Sequence, residues 1–185
     1  MEIYGFDHDD LASGGKAPYT FGMKNLMEDV HYMNSSNTTS GSFIGSSMYT
    51  YLQNTIFPNL PEDARNHIKA VNKKTSAGSG SSSVRTDSMK IFLFSVNEVA
   101  GTQSGKWVSN SEGSQYSVFS NKASRVQEKP SGSTPFMWWW LRSPSLNPTN
   151  RFCYVNNVGA VKNEDSGGIY GYPSSNAGVC FGFCV

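Results

Sequence analysis

Phe136-Met137-Trp138-Trp139-Trp140-Leu141-Arg142-Ser143-Pro144 and Gly178-Val179-Cys180-Phe181-Gly182-Phe183-Cys184-Val185 are the stretches on which the reading of this chain turns. Both are apolar, aromatic and of strand length. The residues they enclose, 145–176, are rich in Asn, Ser, Gly and Tyr, a composition suited to adaptable contact rather than to a packed core. Three consecutive Trp cannot share one face of a strand. Trp138 and Trp140 fall on one side and Trp139 on the other, so the run predicts packing into two layers, with a ligand-stacking platform as the sharper alternative. Arg142-Ser143-Pro144 ends the strand, since Pro cannot donate to a central ladder. Trp138, Trp139, Trp140 and Arg142 are read as scaffold.

Between the anchors, Phe152 to Val161 has the grammar of a hairpin, with strand residues before Asn157 and after a Val158-Gly159 turn. Lys162 to Pro173 reads as a polar loop carrying Ile169, Tyr170 and Tyr172, and Tyr beside Gly and Ser offers large contact area at low entropic cost. The terminal strand places Phe181 and Phe183 on one face and Cys180, Gly182 and Cys184 on the other. Cys180 and Cys184 are then roughly 13 Å apart along the strand, too far to bond each other. Only Cys153 could pair with either, and buried free thiols are the plainer reading.

Upstream segments read as support. Ile3 to Phe6 predicts a short strand, Asp7-His8-Asp9-Asp10 a solvated turn without the ligand spacing of a calcium loop, and Lys16 to Phe21 a second strand. Met23, Leu26, Met27, Val30 and Met33 follow helical spacing and predict a first helix. A second helix is capped by Ser46 or Ser47, carries Met48, Tyr51, Leu52, Thr55 and Ile56 on one face, and stops at Pro58. A third, short helix starts at Pro61 with Glu62 and Asp63 in its first turn, Ala64 and Ile68 inward and His67 at the surface. Val71 to Thr75 reads as a strand and Ser76 to Ser83 as a mobile low-complexity loop. Lys90 to Val96 is expected in the middle of a sheet, covered on both faces. From Asn97 to Gly132 only a short helix around Gln115 to Ser124 is suggested, with Trp107, Tyr116 and Phe119 packing an irregular excursion.

Composition narrows the function. The 185 residues fit one domain, residues 1–185. A charged fraction of 16% and a net charge of +1 supply no field for nucleic acid or an anionic membrane. The first residues have neither a basic start nor an apolar core, and no run of apolar residues is long enough to span a bilayer, so neither a Sec signal nor membrane insertion is expected. Three cysteines in one third of the chain are no disulfide framework. No phosphate loop, paired-His helix, nucleophile elbow or Cys-x-x-Cys is present, and a Cys with His8, His31 or His67 is mere co-occurrence. No enzyme activity, cofactor or metal is expected. Arg142 beside the Trp run could bind a carboxylate, although an Arg closing a strand more commonly anchors backbone carbonyls.

Taken together, Gly5-Phe6-Asp7-His8-Asp9, Phe21-Gly22-Met23-Lys24, Asn72 to Gly78, Lys90 to Ser95, Glu112 to Tyr116, Trp139 to Pro144 and the terminal Gly-Val-x-Phe-Gly-Phe-Cys resemble the DUF6273 domains of gut Firmicutes and their phages. That family is similar to the formylglycine-generating-enzyme type of C-type lectin fold, which also carries the variable proteins of diversity-generating retroelements. The resemblance implies an α+β, C-type lectin-like fold with helices packed around a small, mainly antiparallel sheet. It also implies a ligand-binding face in a C-terminal window diversified at Asn-like codons, here 145–176. Asn147, Thr149, Asn150, Tyr154, Asn156, Asn157, Val158, Asp165, Ile169, Tyr170 and Tyr172 are types reachable from an Asn codon by changing adenines. Lys162 and Glu164 are not, and are either fixed or a sign that this copy is not diversified. The copper-bound cysteine pair of the formylglycine enzymes has no match.

The expectation is a non-enzymatic receptor-binding or adhesion protein of a gut bacterium or its phage, acting from a phage tail or held in the cytoplasm before release. Its expected contact residues are Asn147, Thr149, Asn150, Arg151, Tyr154, Asn156, Val158, Asp165, Ile169, Tyr170 and Tyr172, and its partner is a protein or glycan on a cell surface. The alternatives are a structural phage-particle protein that uses the same face for assembly and, more remotely, a Cys-dependent oxidoreductase.

Overall fold

Segments far apart in the chain close one sheet. The computed structural model describes residues 1–103, 107–131, 137–161 and 170–185, with Tyr170 described at its backbone alone. Strands β1 (Glu2–Phe6) and β2 (Tyr19–Gly22) form an antiparallel pair near the start of the chain. Between β2 and β6 (Ile91–Leu93) lies β11 (Phe181–Cys184), giving the order β1-β2-β11-β6. A Cβ at Gly182 would stand 2.7 Å from the Phe94 ring and 2.9 Å from the Phe21 carbonyl oxygen, so the close seating of β11 requires glycine there.

Three smaller antiparallel pairings surround this sheet. The hairpin β4 (Val71–Gly78) and β5 (Ser81–Met89) stands alone, while β7 (Trp139–Pro144), β8 (Phe152–Val155) and β9 (Tyr170–Gly171) form a three-stranded sheet. Two short strands, β3 (His31–Tyr32) and β10 (Asn176–Ala177), pair with each other. The helices are short: α1 (Ser47–Tyr51) runs through one π turn (Leu52–Ile56) into α2 (Phe57–Asn59), followed by α3 (Glu62–His67) and α4 (Val96–Ala100). The architecture is therefore α+β with short helices and small antiparallel sheets. No helix among the described residues is long and apolar enough to cross a membrane.

Aromatic side chains fill the space between the layers. Tyr4, Phe94, Tyr116 and Phe119 meet at centroid separations of 5.1–5.8 Å in four of their contacts, mostly edge to face, the geometry that ring quadrupoles favour. Trp139 joins them through Phe119, and its indole N–H donates to the Arg125 carbonyl. Trp138 and Trp140 lie 5.1 Å apart on the opposite face of β7, as strand alternation requires. Cys153, Cys180 and Cys184 are all buried, and no disulfide joins them.

Several local expectations fail for non-local reasons. Met23 to Met33 is not a helix. The Leu26, Met27 and Met33 amides donate to Glu128, Val179 and Pro173 carbonyls, so distant segments take the bonds a helix would use. Leu26 and Met33 are buried all the same, which is why their spacing resembled a helical stripe. The Ser-rich stretch after Thr75 is not a loose loop. It continues β4, turns at Ser79 and Gly80, both at positive φ, and returns as β5.

The Lys90 to Val96 run yields only β6, which is an edge strand with all three side chains buried, after which Ser95 caps α4. Around Gln115 to Ser124 two 3-10 turns, Ser117–Phe119 and Ala123–Arg125, replace the suggested helix. Ser46 does cap α1, accepting from the Tyr49 amide at 3.0 Å, but the helix passes Pro58 and ends at Asn59. Pro61 is the cap of α3 rather than its first residue. β7 runs on to Pro144 through a register shift after Trp140 instead of ending at Arg142. Ala160 and Val161 are buried but do not form a returning strand.

Candidate ligand-binding face

Arg142 anchors the strand that leads into the window. Its guanidinium is fully buried and donates to the Thr75 hydroxyl, to the backbone carbonyls of Leu93, Lys74 and Glu112, and to both oxygens of Glu98 at 2.5 and 2.8 Å. Every N–H of the fork has an acceptor. Arg142 thus ties β4, β6, α4 and the loop at Glu112 to β7, the strand that leads into the Asn- and Ser-rich window. Glu98 reaches this position because Ser95 and Glu98 form a capping box, each bonding the other's backbone amide.

The same carboxylate links to a second buried cation. Lys73, on the inward face of β4, donates its three hydrogens to Glu98, Asp9 and the Tyr116 hydroxyl. Asp9 also accepts from Thr20 and Tyr116. The acidic turn expected to be solvated therefore sends one carboxylate inward. Although burial opposes it, Lys73 holds the Asp9 carboxyl well below the usual range, and Arg142 with Lys73 does the same for Glu98.

Glu112 is the odd member. Three buried carboxyls face two buried cations, and among the described residues the Glu112 side chain bonds the Ser76 amide and the Ser143 hydroxyl but neither cation. Burial pushes its pKa up to about 7, partly offset by those bonds. A polar cleft of about 400 Å³ opens over Asp9, Lys73 and Glu98, walled by His8, Lys16, Asn72, Lys74 and Ser114. Its floor is already paired internally. Cys184 borders the cluster, its thiol donating to Asp9 at 3.4 Å, while Cys180 lies apart beside the Met23 carbonyl; burial pushes both thiols up to about 12, which leaves little thiolate at neutral pH.

On this scaffold the expected contact residues separate into groups. Asn147, Thr149 and Asn150 are exposed on one loop that contains the cis Asn147-Pro148 bond and is closed by the Ser145 amide donating to the Arg151 carbonyl. Thr39 donates its hydroxyl to the Thr149 carbonyl, pinning that loop from outside. Asn156 accepts from the Val158 and Ala160 amides through its side chain, making it a turn former, while Val158 is 56% exposed at the tip. A Cβ at Gly159 would stand 1.8 Å from the Lys122 carbonyl oxygen, so this turn is seated directly on the Lys122 backbone.

Tyr154 is half-buried, with its ring 4.6 Å from Trp138 and 6.4 Å from Trp140, so it belongs to the scaffold as much as to the surface. Tyr172 is 50% exposed and carries the Arg151 guanidinium on its ring. Alternation along β8 puts Arg151 and Tyr154 on opposite faces, so the expected residues do not form one patch. Tyr170 contributes its backbone to β9, opposite Cys153. Asp165 and Ile169 lie outside the described residues.

Sequence reading missed Asp9, Lys73, Glu98 and Glu112 as a buried set. One signal was available, the Ser95-x-x-Glu98 spacing of a capping box, while the partners of Glu98 come from segments that local pattern cannot connect. Comparison with known proteins places residues 20–179 within the model of one family, described as "Domain of unknown function (DUF6273)". No curated protein and no solved structure matches the chain.

Proposed function

This chain belongs to the DUF6273 family, and we propose that it is a non-enzymatic ligand-binding protein of C-type lectin-like fold, formylglycine-generating-enzyme subtype. In this reading residues 145–176 form a surface that varies while the scaffold stays fixed, as in the variable proteins of diversity-generating retroelements, and the protein serves as a receptor-binding or adhesion module of a gut bacterium or its phage. One observation supports it above the rest. The exposed side chains of the window stand on backbone held from outside the window: Thr39 bonds Thr149, and the Met33 and Asn34 amides both bond the Pro173 carbonyl beside Tyr172. The side chains of Thr149, Val158 and Tyr172 can change without removing a backbone bond, whereas Asn156 shapes its turn and Tyr154 packs on Trp138.

The ligand is a protein or glycan at a cell surface. The test is binding of the fluorescently labelled protein to a panel of intact gut Firmicutes cells, comparing wild type with a combined Asn150→Ala, Val158→Ala, Tyr172→Ala variant. The variant should lose cell binding while each exposed change alters stability by no more than about 0.5 kcal/mol. Tyr154 is left out because its ring packs on Trp138. Unchanged cell binding by the variant, or no binding by wild type to any strain, would refute the reading.

A further inference from the structure

Resting on that reading, we infer that Arg151 is a carboxylate-binding subsite and that the ligand is a glycan carrying an acidic sugar. The β8–β9 ladder pairs Phe152 with Gly171 and Cys153 with Tyr170, so its next step sets Arg151 opposite Tyr172. The guanidinium carbon lies 3.2 Å from the centre of the Tyr172 ring, which fixes the plane of the fork. One nitrogen, Nη1, donates to the Asn150 carbonyl at 3.2 Å and to its side-chain oxygen at 2.6 Å, which fixes the rotation within that plane.

Those two bonds occupy one end of the fork. Nε and Nη2 have no acceptor, and Arg151 no acidic partner, among the described residues. That remaining edge presents two parallel N–H groups, the arrangement that takes both oxygens of a carboxylate. Arg142 shows the contrast in the same chain. Its carboxylate is internal and its fork is filled, whereas the Arg151 fork is held at one end and on its face and has an edge without an acceptor among the described residues.

The neighbours favour a sugar over an acidic protein segment as the carrier. Thr149 and Asn150 are exposed on the loop that ends at Arg151, and the Thr149 hydroxyl and the Asn150 amide NH₂ suit the hydroxyl groups of a saccharide. Half of the Tyr172 surface is open beside them. The buried core of a protein interface is more apolar than the surface around it and enriched in aromatic residues. In the described part of the window the exposed large apolar side chains are Val158 and Tyr172.

An array bearing uronic-acid and sialic-acid oligosaccharides, their carboxyl-reduced counterparts and poly-glutamate peptide tests this. Wild type should bind at least one acidic glycan about tenfold or more tightly than its carboxyl-reduced form, as expected for loss of a charge-assisted bidentate pair. Arg151→Lys, which keeps the charge but removes the fork, should lose a similar factor, with an unchanged melting temperature showing that the fold is intact. Equal binding to reduced and acidic forms, undiminished binding by Arg151→Ala, no acidic glycan bound, or binding to poly-glutamate alone would each overturn the inference. If the array fails while wild-type cell binding persists and remains sensitive to the Asn150, Val158 and Tyr172 changes, the acidic-glycan inference falls and the display reading stands.

Discussion

Replacing Glu112 with Gln should make the protein more stable at pH 8 and nearly unchanged at pH 5. The buried cluster holds three carboxyls and two cations, and Glu112 is the carboxyl without a cation in direct bond. Its pKa rises from 4.5 to about 7 on folding because burial penalises the charged form. A carboxyl with a raised folded-state pKa contributes stability that is complete below about 4.5 and is lost as pH rises through about 7. Between pH 5 and 8 that loss amounts to roughly 2–3 kcal/mol at ~1.4 kcal/mol per pH unit.

Gln keeps the acceptor for the Ser76 amide and, like a protonated Glu112, reverses the second bond, its NH₂ donating to the Ser143 hydroxyl that in wild type donates to the carboxylate. Urea unfolding of wild type and Glu112→Gln at pH 5 and 8 reads the difference directly. Every other residue is the same in the two proteins, so the difference between the two slopes isolates Glu112. Parallel slopes would show that Glu112 is not the proton acceptor of the cluster. At lower pH the sign reverses, since the depressed Asp9 and Glu98 carboxyls contribute stability that is lost as pH falls through their folded-state values.

Two further outcomes follow from packing. Lys73→Met should cost about 3–5 kcal/mol in chemical unfolding, because it leaves Asp9 and Glu98 buried with one partner fewer, and a cost below about 1 kcal/mol would mean that the cluster relaxes into solvent. Gly159→Ala should lower the melting temperature and displace the turn at Val158, since the new Cβ would collide with the Lys122 carbonyl and the position sits at φ 76°; an unchanged melting curve would show that this turn is not seated as described.

What could be read from the residues was whatever depends on near neighbours. The Ser46 cap, the face of Met48 and Leu52, the strands at Glu2–Phe6 and Phe181–Cys184, and the two-sided burial of the Trp run follow from side-chain period and capping chemistry. The failures share one cause. Met23 to Met33 has its backbone amides claimed by residues around 128, 173 and 179, and Ser76 to Gly78 is drawn into a strand by Glu112 and Ser42. Neither Lys73 nor Asp9 carries any local mark of burial, since their pairing crosses from β4 to the turn after β1. At the surface, the Asn, Thr and Tyr content drew attention to the right loops but not to their division. Tyr154 turns inward to Trp138 while Arg151 and Tyr172 stand on the other face, a split that only the register of β8 and β9 reveals.

The position of β11 between β2 and β6 governs when this protein can fold as well as how. A ribosome-bound chain that has reached only residue 180 holds β1-β2 and β6 as separate pieces, with both inner edges unpaired and the aromatic residues above them uncovered. The first sheet is thus completed after nearly all of the described chain has been made, and loop-closure entropy over that distance must be overcome before the strand contacts repay it. The edges of β2 and β6 that β11 joins therefore stay unpaired until residues 181–184 are available.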